Sequence, residues 1–132
     1  MSRIGGSTDE APKAVGPYSQ SARIGAVVAA AGQGGFDPVS GELVGEGVAE
    51  QTRRALENVA AVLVANGATL EDVVRTSVFL TDNDEFEAMN DVYRTMFTEP
   101  YPARTTVYVG LPAGMKVEID AIAVLSGTSS QV

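Results

Sequence analysis

Apolar residues recur along this chain in two periods. From Val48 to Ala65 the spacing is helical: Thr52, Leu56, Val59 and Leu63 share one side, while Glu50, Arg53, Arg54 and Glu57 occupy the other. That predicts an amphipathic helix, with Asn66-Gly67 as its C-terminal stop. Thr69-Leu70-Glu71-Asp72 reads as a capping box opening one short turn. A second helix is predicted over Asp84 to Phe97, with Phe86, Met89, Tyr93 and Phe97 as its stripe. Thr81, Asp82, Asn83 and Asp84 can cap it, and acids at that end suit the helix dipole. Asn90 lies beside the stripe, where a half-buried amide could bond an adjacent loop.

Elsewhere the period is two, or the apolar run is short and continuous. Tyr18 to Ile24 and Ala26 to Ala31 flank Gly25 and read as a hairpin, although alanine is a poor strand former. Arg75 to Leu80 reads as a longer strand. Arg104 to Val109 and Met115 to Leu125 flank Gly110-Leu111-Pro112-Ala113-Gly114 and also read as a hairpin. An extra short strand near Leu43-Val44 is optional. The predicted order is β-β-α-β-α-β-β, an α+β fold with one mixed sheet carrying two helices on one face. The other face, assigned Val28, Ile122 and Val124, would be left uncovered, which favours oligomerisation.

Alternation puts Arg104, Thr106 and Tyr108 on one face of their strand, and Glu118, Asp120, Ile122 and Val124 on one face of theirs. If the two strands are neighbours, an arginine fork lies near carboxylates in a partly dry cleft. Such a cleft suits a small substrate bearing its own carboxylate. From residues alone, Arg104 also reads as an ordinary strand arginine paired with an acid, Glu118 as a carboxylate at an oligomer edge, and Tyr18 as a core ring. The loop from Gly32 to Gly41 is glycine-rich but matches neither G-x-x-x-x-G-K-[ST] nor G-x-G-x-x-G, so it reads as a turn-rich connection.

Composition narrows the chemistry further. The chain has 132 residues, 45% hydrophobic and 20% charged, and is expected to form a single domain over 1–132, with 1–12 an aperiodic, flexible tail. It has no cysteine and no histidine. That excludes disulfides, thiolate nucleophiles, Ser-His-Asp triads and His-containing zinc sites, and no metal site is expected. Chemistry falls to carboxylates, arginine, tyrosine, hydroxyls, backbone groups and water. The formal net charge of −8, with basic residues scattered, argues against avid nucleic-acid binding. No apolar run is long enough for a membrane span. The polar start, Met1 to Glu10, lacks the apolar core of a signal peptide, and a cytoplasmic setting is expected.

Gly16-Pro17-Tyr18-Ser19-Gln20, Ala31-Gly32-Gln33, Pro102-Ala103-Arg104-Thr105-Thr106-Val107 and Val117-Glu118-Ile119-Asp120-Ala121-Ile122-Ala123-Val124 resemble, in order, the motifs of the RidA (YjgF) family of imine deaminases. The resemblance runs from about Ala11 to Leu125. It implies a chorismate-mutase-like fold, an α/β sandwich of the bacillar type, and a homotrimer with sites between subunits. It also implies cofactor-free hydrolysis of 2-iminobutanoate, 2-iminopropanoate and 2-aminoacrylate-type intermediates to 2-keto acids and ammonia.

By the same resemblance, Arg104 would clamp the substrate carboxylate and Glu118 would hold or activate the attacking water, with Tyr18 nearby. Gly32 would offer a backbone N–H, and Ala31, Asn90 and Thr106 would line the pocket; Asp120 is taken as structural. Ala31 stands where the family commonly has serine, and Thr106 where a cysteine often sits. Gly34 and Gly35 replace bulkier residues, which implies a more mobile rim. Two other readings share these residues: a non-catalytic sensor of 2-keto acids using the same arginine, and, more distantly, an endoribonuclease.

Overall fold

The computed structural model describes residues 1–125. The strands are β1 (Ile4–Gly6), β2 (Ser21–Ile24), β3 (Val27–Gln33), β4 (Val73–Leu80), β5 (Ala103–Tyr108) and β6 (Val117–Val124). The helices are α1 (Val48–Val64) and α2 (Phe86–Met96). Six strands form one sheet in the order β1-β2-β3-β6-β4-β5. All neighbours are antiparallel except β4 and β5. The mixed sheet with two helices on one face is as the sequence pattern implies.

α1 is the helix that period and caps predict. Its inner side is fully buried at Ala55, Leu56, Val59 and Leu63. The chain then turns at Gly67, whose φ of 81° is in the region glycine favours. Thr69 caps the short turn Leu70–Asp72, as its capping box predicts. Opposite α1 the sheet presents Val28, Val78, Val117, Ile119 and Ala123, all essentially inaccessible. These helices and strands form one apolar core.

Four expectations need correction. Ile4–Gly6, inside the stretch expected to be a flexible tail, forms an edge strand with Arg23, Ala22 and Ser21 as its partners. Leu43 makes only an isolated bridge to Phe36, so no strand forms there. Val28 faces the helices, opposite Ala123. It is Val27 and Ala29, paired with Val124 and Ile122, that line the open face.

The fourth correction matters most for the site. β5 and β6 are not a hairpin, because β4 lies between them. It pairs with β5 in parallel through the α2 crossover and with β6 antiparallel. A Gly/Pro-rich break between two strands permits a hairpin, but here the chain passes over β4 before re-entering the sheet.

Two buried amides on α1 organise the loops around the sheet's end. Gln51 donates to the carbonyls of Gly45 (2.9 Å) and Gly114 (3.0 Å) and accepts from the Lys116 N–H (2.8 Å). Asn58 donates to the carbonyls of Gly34 (3.1 Å) and Phe36 (2.9 Å) and accepts from the Arg54 guanidinium. Both side chains are fully buried and bond loop backbone, and the Asn58 bond to the Gly34 carbonyl is itself buried. The Gly34-Gly35 rim is thus tethered rather than loosened. A Cβ at Gly35 would lie 2.6 Å from Gln51 Cα and 2.8 Å from its carbonyl oxygen. Glycine there lets the loop lie directly on the helix backbone.

Candidate functional site

The residues singled out in the sequence fall into three groups within one chain. The first surrounds Arg104. Register pairs Arg104 with Thr76 and Thr106 with Val78, so both point to the helix side of the edge strand β5. The Arg104 guanidinium lies over two rings of α2, 4.8 Å from the centroid of Tyr93 and 5.8 Å from that of Phe86. Both distances are within cation–π range. Among the described residues Arg104 makes no ion pair.

Asn90, Tyr93, Arg94, Tyr101, Pro102 and Arg104 line a cleft of about 250 Å³. Next along the strand face, the Thr106 hydroxyl is buried without a hydrogen-bond partner among the described residues. Among the described residues, a guanidinium held over rings without an ion pair, on the same strand face as an unpartnered hydroxyl, has the chemistry to receive a small anion with a further polar atom.

The second group is on the open face of the sheet. Buried Val117, Ile119, Ala121 and Ala123 alternate with the outward set Glu118, Asp120, Ile122 and Val124. Asp120 accepts from the Ser77 N–H at 3.1 Å, in keeping with a structural role. Burial raises the Glu118 carboxyl above its ordinary range, and the Asp120 charge raises it further.

Glu118 packs so closely on Gly32 that a Cβ there would collide with its carboxylate. The approach is made possible by a bulge in β3. Ala30 pairs with Ala121 and Gln33 with Ile119, so Ala31 and Gly32 together oppose a single position of β6. Ala31 is half-buried, and its N–H donates to the Gln20 carbonyl at 2.9 Å.

The third group is Tyr18, in the turn before β2. It is 53% exposed, and its hydroxyl accepts from the Val15 N–H at 3.3 Å. It borders a depression of about 470 Å³ with Gly5, Lys13 and Gln20 among its walls. That is the β1–β2 end of the sheet, far from Arg104 on β5.

Arg104 and Glu118 therefore do not share a cleft within one chain. They lie on opposite faces, two strands apart, roughly 10 Å in strand spacing alone. The structure does bring Arg104, Thr106 and Asn90 to one side, and Glu118, Gly32 and Ala31 to the other. Sequence reasoning missed Tyr93 and Phe86 as partners of the guanidinium, treating both as core stripe. Their spacing along α2 was visible, but the strand opposite was not.

Comparison with known proteins adds an independent line. The family described as Endoribonuclease L-PSP matches residues 8–125. The mouse protein named 2-iminobutanoate/2-iminopropanoate deaminase is 44% identical over 119 residues, covering 89% of this chain and 88% of the relative. The RidA structure from an Antarctic Psychrobacter is 44% identical, with a TM-score of 0.88 over 92% of this chain and 99% of that one. Escherichia coli TdcF, solved with bound serine, is 41% identical, with a TM-score of 0.88 over 93% of this chain and 99% of that one.

Proposed function

This chain belongs to the endoribonuclease L-PSP (RidA) family, and we propose that it is a cofactor-independent hydrolase of small 2-imino acids, releasing 2-keto acids and ammonia. One observation carries the reading most directly: a half-buried guanidinium, stacked on two rings and without an ion pair among the described residues, opens onto a small cleft. A carboxylate is the ligand such a group lacks, and a 2-imino acid supplies one beside the reacting carbon. The naming of the mouse relative supports the same substrate class.

The chemistry asks little of the protein. Arg104 holds the carboxylate bidentately. Water adds to the imine carbon, the C=N electron pair moves to nitrogen, and nitrogen takes up a proton. The carbinolamine then expels ammonia and loses its hydroxyl proton to give the ketone. Glu118 takes the proton from water and returns it to nitrogen, ending as it began. A carboxyl raised above its ordinary range by burial holds a proton more readily than an exposed one, which suits its return to nitrogen. The Gly32 backbone and the Thr106 hydroxyl flank the substrate. Ala31 offers no hydroxyl, and Tyr18 would close the pocket.

Glu118 and Arg104 sit on opposite faces, so the complete site needs a second copy of the chain. One subunit would present the Arg104 side and its neighbour the Glu118 face. A homotrimer is the assembly proposed, and the exposed apolar residues Val27 and Ile122 on the open face favour it. The test generates 2-aminoacrylate with a serine dehydratase and follows its decay with and without the protein. Accelerated release of pyruvate is expected. Pyruvate binding with no acceleration would overturn the enzyme reading and leave a sensor of keto acids.

A further inference from the structure

Nothing in the sequence assigns a task to the aromatic residues beneath Arg104. Tyr93 is 4% exposed, and its ring meets Phe97 at 4.7 Å between centroids. Its hydroxyl and that of Thr76 share a buried hydrogen bond of 2.7 Å. Thr76 is 1% exposed and lies on β4 directly beside Arg104 in the parallel register. The ring is therefore fixed at both ends, by Phe97 on one side and by its hydroxyl on the other. Phe86, two helical turns earlier on the same stripe, supplies a second face at 5.8 Å.

Arg104 has three rotatable bonds beyond its Cβ and sits at an edge strand. It has no carboxylate among the described residues to fix its direction. Left to itself, such a side chain would sample solvent and meet a substrate only part of the time. A carboxylate partner would fix it, but would also occupy the fork and compete with the substrate. Aromatic faces hold the cation without using any of its N–H donors, which stay free for the ligand.

We propose that Tyr93 and Phe86 form an aromatic cradle that positions the Arg104 guanidinium for the substrate carboxylate, with the Thr76 hydroxyl pinning the Tyr93 ring. This inference rests on the imino-acid reading of the Arg104 cleft. Both rings are positioning residues, acting through Arg104 without touching the reacting atoms.

A positioning role through a carboxylate clamp predicts a specific kinetic split. The clamp acts on substrate and transition state alike, so its loosening raises KM and leaves kcat nearly unchanged. The experiment measures imine turnover, 2-oxobutyrate binding and thermal melting for wild type, Y93M, Y93F, F86L, F97L and R104A. Y93M conserves volume but removes the ring, and is expected to raise KM and the 2-oxobutyrate Kd by about two- to thirtyfold, the span of one cation–π contact. Y93F keeps the ring and is expected to raise them by less than about threefold. F97L frees one side of the Tyr93 ring and is expected to raise KM by less than Y93M does, whereas V62A, measured alongside, loses buried packing on α1 and is expected to lower the melting temperature without moving KM.

Unchanged KM and Kd in a folded Y93M, with R104A severely impaired, would overturn the cradle and leave the carboxylate clamp intact. Should Y93M fail to fold, F86L decides. A raised KM with kcat retained supports the cradle, and an unchanged KM overturns it. Wild-type protein without turnover or keto-acid binding would instead remove the imino-acid reading, and this inference with it.

Discussion

Replacing Arg104 should separate activity from stability. Arg104→Ala removes a charge-assisted, bidentate contact to the substrate, worth about 1.5–3 kcal/mol, which converts to a loss of about ten- to 150-fold in kcat/KM. Arg104→Lys should lose most of that, because an ammonium neither matches the planar carboxylate nor lies flat on Tyr93 and Phe86. Arg104→Met keeps the bulk and should lose activity like the alanine variant.

The stability ledger differs. Two ring contacts vanish, about 0.5–1 kcal/mol each at partly exposed sites, while a half-buried cation with no ion pair among the described residues ceases to be held away from water, a relief of about 1–3 kcal/mol. The terms nearly cancel. Arg104→Met should melt within about 4 °C of wild type while its kcat/KM falls at least tenfold, chiefly through KM. Steady-state kinetics with dehydratase-generated imine, together with a thermal melt, test both halves. Full activity in Arg104→Ala would refute the assigned site, and a melting point lowered by 10 °C or more would make the arginine a structural residue.

Other outcomes follow from particular contacts. Glu118→Gln should lower turnover while 2-oxobutyrate binding, measured by calorimetry, persists; equal loss of both would reject the proton-transfer role. The raised Glu118 carboxyl binds its proton more tightly folded than unfolded, so stability falls as pH rises from the ordinary value of 4.5 through the folded one and then levels. Urea titrations across that window should show a shallower fall for Glu118→Gln. Gly35→Ala should cost roughly 1–3 kcal/mol by overpacking against the α1 backbone, and an unchanged melt would contradict the close approach. Thr52→Val should be neutral or stabilising by about 1 kcal/mol, because the Thr52 hydroxyl is buried without a partner among the described residues. Light scattering at micromolar concentration should give three times the chain mass, and monomer alone would remove the shared site.

Both helices were legible in the sequence because each carries a full apolar stripe and polar caps. The strands were legible as segments but not as neighbours. Alternation tells which residues of a strand share a side, yet only pairing tells which side of the sheet that is. Arg104 and Glu118 were therefore each placed correctly in their own strand and wrongly beside each other, since nothing local revealed that β4 enters between them. Gln51 and Asn58 could have been noticed, as two amides seven residues apart on the buried side of a helix. The carbonyls they bind are up to 63 positions away in the chain, beyond the reach of any periodic argument. Gly35 was read as freedom of the backbone; its cause is the proximity of Gln51.

The position of β6 has a consequence for how the molecule comes into being. It is the latest strand in chain order among those described, yet it lies inside the sheet, between β3 and β4. During synthesis at about 5–20 residues per second, the inner edges of β3 and β4 wait on the order of seconds for the strand that joins them. The newborn chain can wind α1 and close the β2–β3 hairpin early, but it cannot join the two halves of the sheet until β6 emerges. In that interval the unpaired edges are open to strands of other nascent chains. Completion of the sheet thus rests on a late, non-local closure.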